Sequence, residues 1–207
     1  MPDMTPDDSI QPSRSFLGTI KIIFGSFVSW VLLPLIMIFV LHSFVFQAYH
    51  VEGGSMLQTL HNRDYLIVSK VGDTLAQVQH MFNRDITYVP SRGQIIVFHY
   101  PVSPEEIFVK RVVALPGERV VVKDGFVTVF TAARPNGFNP DTSYEPAGTK
   151  TLEDTDVTVT PKHVFVMGDN RTPGGSFDSR EWGLLPSENI IGNAVIRLLP
   201  LNQAKIF

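Results

Sequence analysis

Cysteine is absent from all 207 residues, which removes thiol catalysis, disulfide staples and cysteine-ligated metals together. Charge is sparse: Asp, Glu, Lys and Arg make up 18% of the chain, and the net charge is −3. With no basic block, nucleic-acid binding has no compositional support. The six histidines show no His-Glu-x-x-His or comparable spacing, so the sequence calls for neither a metal nor a cofactor. The longest absence is local. From Ile22 to Val51 there is no Asp, Glu, Lys or Arg.

What fills that gap is apolar. Residues Ile22 to Phe46 are almost wholly hydrophobic, and a helix rising about 1.5 Å per residue would span a bilayer core of about 30 Å with them. Pro34 is tolerated in such a helix better than in a soluble one. A cleavable signal peptide is the rival reading, but its apolar core is only about 7–15 residues and ends in small residues. Here the run is longer, and bulky Phe46 stands two residues before Ala48. The expectation is a retained anchor over 22–46. Arg14 and Lys21 precede the run and Arg63 is the next cation after it. The positive-inside rule then leaves the N-terminus in the cytoplasm and the bulk of the chain outside. Residues 1–21 read as a disordered cytoplasmic leader. His42, inside the span, reads either as a neutral imidazole near the interface or as a proton or partner contact.

Past Gln47 the pattern breaks into strand-length runs rich in Val, Ile and Phe: 65–68, 94–98, 108–115, 120–122, 126–130, 157–159, 164–167 and 190–198. Gly, Pro, Asn or Asp separates most of them, and Lys123-Asp124-Gly125 is a hairpin signal. The expected fold is mainly β: a single transmembrane helix followed, over 47–207, by an antiparallel β-rich domain, barrel-like or sandwiched. Thr74 to Phe82 has the makings of a short helix. Residues 131–156, rich in turn formers, read as a peripheral excursion.

Two features within this domain carry chemistry. Ser55 follows Gly53 and Gly54, in a turn that lets a substrate carbonyl approach; taken alone the tripeptide reads as a plain Gly-Gly-Ser turn. A serine hydroxyl needs a base before it attacks. Lys110 lies in Ile107-Phe108-Val109-Lys110-Arg111-Val112-Val113, where burial would disfavour the ammonium and make an amine base. Alternation puts Phe108, Lys110 and Val112 on one face of the strand. Both faces are apolar, so the pattern permits burial of the lysine without requiring it. Downstream, Gly168-Asp169-Asn170-Arg171 and Ser176-Phe177-Asp178-Ser179-Arg180 suit a hydrogen-bonded brace behind a site, or a solvated loop.

These stretches, with Gly53 to Leu60, Arg92 to Phe98 and Val109 to Glu118, resemble the successive boxes of bacterial type I signal peptidases (leader peptidases). They stand in the family's order, behind a family-like anchor. The resemblance implies a membrane-bound Ser/Lys-dyad serine endopeptidase that removes signal peptides from exported preproteins. It implies the bacterial cytoplasmic membrane as location, with a single pass and the catalytic domain on the periplasmic side. The implied partners are preprotein signal peptides, membrane lipid and, transiently, the secretion translocon.

By the same resemblance Ser55 is the nucleophile and Lys110 the general base. Ser176 would orient the amine through a hydrogen bond, while Arg111, Asp169, Asp178 and Arg180 support the site as ion pairs. Tyr49, Val51, Met56, Leu60, Leu66, Val97, Phe108 and Val109 would line shallow pockets for small residues at the first and third positions before the cut. Three departures stand out. Gly53 replaces a serine that in some members joins the oxyanion hole, Gln58 replaces a usual proline, and the 172–175 link is two residues longer than usual. Two other readings stay open. In one, His50 or His99 with Asp169 makes a Ser-His-Asp hydrolase. In the other, a tethered β-domain binds extended peptides without cutting them.

Overall fold

The computed structural model describes residues 25, 27–82, 87–143 and 150–207. The chain divides into two units, Met1–His42 and Ser43–Phe207. Helical turns of π type at Val28–Leu32 and Leu41–Val45 flank the helix α1 (Leu33–Val40). Pro34, which has no amide hydrogen to donate, is the second residue of α1, directly after the first π turn. The side chains from Trp30 to Val40 are exposed, including Trp30 at 82%. Among the described residues no helix is long and apolar enough to cross a membrane. The leader 1–21 and residues 22–24 and 26 of the expected span lie outside the described residues.

The Val-, Ile- and Phe-rich runs of the second unit form antiparallel strands. In chain order they are β1 (Phe46–His50), β2 (Tyr65–Ser69), β3 (Ile95–His99), β4 (Ile107–Ala114), β5 (Arg119–Lys123) and β6 (Phe126–Thr131). There follow β7 (Arg134–Phe138), β8 (Thr155–Thr158), β9 (His163–Met167), β10 (Leu185–Pro186), β11 (Ile190–Leu199) and β12 (Lys205–Ile206). A helix, α2 (Val71–Met81), covers the segment expected at 74–82. A single turn, α3 (Ser179–Trp182), begins within the second half of the brace motif.

The larger sheet runs β1-β2-β11-β3-β4-β9-β10, with β12 paired to β11; the smaller runs β7-β6-β5-β8. Asp124 and Gly125, at φ 53° and 92°, make the left-handed two-residue turn that a tight hairpin between twisted strands demands. Lys123 accordingly pairs with Phe126. Within the stretch expected as an excursion, Arg134-Pro135-Asn136-Gly137-Phe138 forms an edge strand. Its proline is compatible only with an edge or bulge.

Both faces of the larger sheet are buried at its centre, which is why β3 reads as continuous apolarity rather than alternation. Ile95 and Val97 pack with Val51, Met56, Leu60, Leu66 and Val68. Ile96 and Phe98 point the other way, into Val112, Val164, Val166 and Leu185. A third cluster, from Val113 and Ala114 to Val120, Val122, Val127, Val129 and Phe165, joins strands of both sheets. The strand carrying Lys110 therefore has apolar packing against both of its faces.

Candidate active site

β3 and β9 flank β4. Lys110 lies opposite Ile96 on one side, and Arg111 lies opposite Met167 on the other. The Gly53–Leu60 turn brings Ser55 to the same place, and Lys110 Nζ donates to Ser55 Oγ at 2.6 Å. Lys110 is only 4% exposed, and its amine lies 5.6 Å from the centre of the Phe108 ring. Burial pulls that amine down from 10.5 to about 8, against the carboxylates of Asp178 and Asp169, which pull it up. The Arg180 guanidinium also pushes it down. A neutral amine is accessible here near physiological pH.

The brace residues enclose this pair. Asp178 accepts from Gly168 N at 3.0 Å, Ser176 Oγ at 2.8 Å and Arg180 Nε at 2.8 Å, and it caps α3. Burial alone would raise its carboxyl, but the Arg180 guanidinium, the Gly168 N–H and the Ser176 hydroxyl together outweigh burial and hold it below the ordinary range. Arg111 grips both Asp169 oxygens, at 2.7 and 2.5 Å, and donates to Gly93 O at 2.7 Å. Arg171, 1% exposed, donates to Gly168 O at 2.8 Å and to both oxygens of Asp141. That last contact ties the 131–156 stretch to the loop behind Ser55. It pairs residues far apart in the chain, so no local signal announces it.

Ser176 departs from its expected contact. Its hydroxyl donates to Asp178, and the lysine amine bonds Ser55 instead. Met56 and Leu60 also depart from the pocket role. They are 1% and 0% exposed, inside the core cluster beneath the turn. The reason is local: Leu60 N returns to Met56 O at 2.7 Å, a helical turn that sends both side chains inward. Tyr49, Val51, Leu66, Val97, Phe108 and Val109 do line a cavity of about 400 Å³ beside Ser55, Lys110 and Ser176. His50, Glu52, Ile107 and Phe177 join them.

The histidine alternative is not assembled. His99 Nδ1 lies on Pro104 O at 2.6 Å, His50 packs edge-on against Tyr65, and Asp169 is committed to Arg111.

Two of the departures acquire physical reasons. Gly53, at φ 88°, gives its N–H to Asn62 Oδ1 at 3.1 Å. Exposed Gln58 has φ 83°, a backbone that proline, fixed near −65°, cannot adopt. Left-handed backbone is costly for a side-chain-bearing residue. Gln58→Gly is therefore expected to stabilise the fold by about 0.5–1 kcal/mol, raising the thermal midpoint by about 1–4 °C. An unchanged or lower midpoint in calorimetry would show that this turn stores no strain.

The sequence model described as signal peptidase, peptidase S26, matches residues 24–199. The chain belongs to this family. It is a peptidase, a hydrolase of peptide bonds. A signal peptidase I of Leptolyngbya laminosa is 35% identical, over 79% of this chain and 73% of its own. A probable signal peptidase I of Synechocystis is also 35% identical, over 83% and 81%. One from Bacillus caldolyticus is 34% identical, over 79% and 85%.

Proposed function

We propose that this peptidase is a membrane-anchored serine endopeptidase that removes signal peptides from exported preproteins, with Ser55 as nucleophile and Lys110 as base. The observation that carries the reading is the 2.6 Å contact between a buried amine and a serine hydroxyl at the end of an apolar cavity. Uncharged Lys110 takes the hydroxyl proton as Ser55 Oγ bonds to the scissile carbonyl carbon. The carbonyl electron pair moves onto oxygen, and the Ser55 N–H donates a hydrogen bond to that oxygen. Collapse expels the amine of the mature protein, which takes the proton back from Lys110. A water activated by the same lysine then releases the signal peptide from Ser55.

The surrounding ion pairs hold rather than react. Asp178 with Arg180, and Asp169 with Arg111, fix the loop behind the dyad, while Ser176 is held against Asp178. Gly53 places no hydroxyl in the oxyanion site, and its N–H is occupied by Asn62.

Among the described residues β1 is the last strand of its sheet, so an extended peptide can join its edge beside Tyr49 and Val51. Cavity walls of Val, Leu and Phe reject long side chains by volume, which favours cutting after small residues at −1 and −3. The anchor over 22–46 and the outward orientation rest on the uncharged apolar run, its exposed side chains and the preceding Arg14 and Lys21. On this reading the domain works on the periplasmic face of the inner membrane, next to lipid and, transiently, the translocon.

The test is the pH profile of cleavage, by protein in detergent, of a peptide whose signal region ends Ala-x-Ala. Only the uncharged amine accepts a proton, so turnover is expected to rise about tenfold per pH unit up to a midpoint of about 8. Above the midpoint it should level off. A profile still climbing at pH 10 would mean an amine in solvent, and no cleavage at any pH would leave only a peptide binder.

A further inference from the structure

The carbonyl of Gly54 and the N–H of Ser55 belong to one planar peptide unit and point in opposite directions. Whatever holds the carbonyl therefore aims the N–H. The Gly54 carbonyl accepts two hydrogen bonds, from Leu57 N across the turn at 3.1 Å and from Asn170 Nδ2 at 3.0 Å. The next carbonyl, that of Ser55, accepts from Asn170 N at 2.9 Å. One residue thus grips the peptide on each side of the nucleophile. Its side chain takes the peptide bearing the Ser55 N–H, and its backbone takes the other. Among the described residues the Ser55 N–H itself has no acceptor.

The carboxamide is held the right way round. Thr172 Oγ1 donates to Asn170 Oδ1 at 2.6 Å, and Thr172 N donates to the same oxygen at 3.3 Å. With its oxygen occupied by donors, the NH2 end must face Gly54. Gly175 closes the cradle. A Cβ there would lie 2.5 Å from both Asn170 Oδ1 and Thr172 Oγ1, and its N–H returns to Thr172 O at 2.8 Å. The lengthened 172–175 link is built around this side chain.

We propose that Asn170 is a positioning residue for the oxyanion hole: its carboxamide, oriented by Thr172, holds the Gly54–Ser55 peptide so that the Ser55 N–H points at the oxygen where charge develops. This rests on the reading of Ser55 as nucleophile. The bond is made to backbone rather than substrate, so its loss acts on the transition state and not on peptide binding.

The experiment compares matched peptides carrying oxygen or sulfur at the scissile carbonyl, cleaved by wild type, Asn170→Ala and Thr172→Val, with thermal midpoints as a check on folding. An aligned donor favours oxygen over the larger, weaker-accepting sulfur. Removing an oxyanion donor outright costs about 100–1000-fold, and misaiming one should cost less. Asn170→Ala is expected to lower kcat on the oxygen peptide about 10–100-fold and to shrink the oxygen-to-sulfur ratio by a similar factor. KM and the pH midpoint should hold. Thr172→Val, which frees the carboxamide to rotate, should lose about 3–10-fold in the same pattern. Equal losses on both peptides, or a change confined to KM or the pH midpoint, would reduce Asn170 to a loop-stabilising residue. Failure of the underlying reading shows separately, as turnover that persists in Ser55→Ala.

Discussion

Lys110→Met is expected to lower kcat for peptide cleavage by about four orders of magnitude or more, with the fold intact. The two halves of that result have different origins. Chemically, the hydroxyl of Ser55 loses the amine to which it is hydrogen-bonded, its partner for proton transfer. Structurally, methionine keeps an unbranched stem of similar length against Phe108 and the apolar wall, and it removes a cation that burial already disfavours. The thermal midpoint should therefore hold or rise, which separates loss of chemistry from loss of structure. Ser55→Ala should fall as far, and the double variant no further, because two groups acting in one proton transfer are not additive. Single-turnover cleavage measured by mass spectrometry reads all three. Lys110→Met turning over within tenfold of wild type would return His50, which lines the same cavity, to consideration as the base.

The legibility of the fold follows the range of the interactions that make it. Strands such as β3, β4, β9 and β11 announce themselves because their side chains are buried on one or both faces, and the Asp124-Gly125 turn because it is encoded by two adjacent residues. β1 is hidden, since Phe46 to His50 continues an uncharged run and changes from helix to strand without a turn signal. β7 is hidden for the opposite reason. Its Arg, Pro, Asn and Gly would be out of place in an interior strand and are admitted only by the edge. At the site, the Ser55–Lys110 juxtaposition is legible through an apolar-flanked lysine and boxes in family order. The direction of Met56 and Leu60 is not, because a one-turn reversal after Ser55 sets it. Asn170 lay within a recognised motif, yet its contact to Gly54 depends on where two distant loops meet. The same is true of Arg171 and Asp141.

The second large effect belongs to Gly168, where the end of β9 meets the Gly53–Leu60 turn. A Cβ on this residue would lie 2.2 Å from Ser176 Oγ, 2.6 Å from Ser176 Cβ and 2.3 Å from the backbone oxygen of Ser55. Neither neighbour is free to yield. Ser176 is tied to Asp178 at 2.8 Å, and the Ser55 carbonyl is held by Asn170 N at 2.9 Å. Gly168→Ala must then push Ser55 away from β9 by on the order of 1 Å, and a misplacement of that size costs about 100-fold in rate. The overpacking should also cost about 1–3 kcal/mol of stability. Adding Ser176→Ala separates the two clashes. It removes the hydroxyl contact but leaves the added methyl against Ser176 Cβ and the Ser55 carbonyl, so stability should recover in part while kcat stays low. A Gly168→Ala enzyme with wild-type kcat would mean that Ser55 does not take its position from this contact. The placement of the dyad would then have to come from the Gly53–Leu60 turn alone.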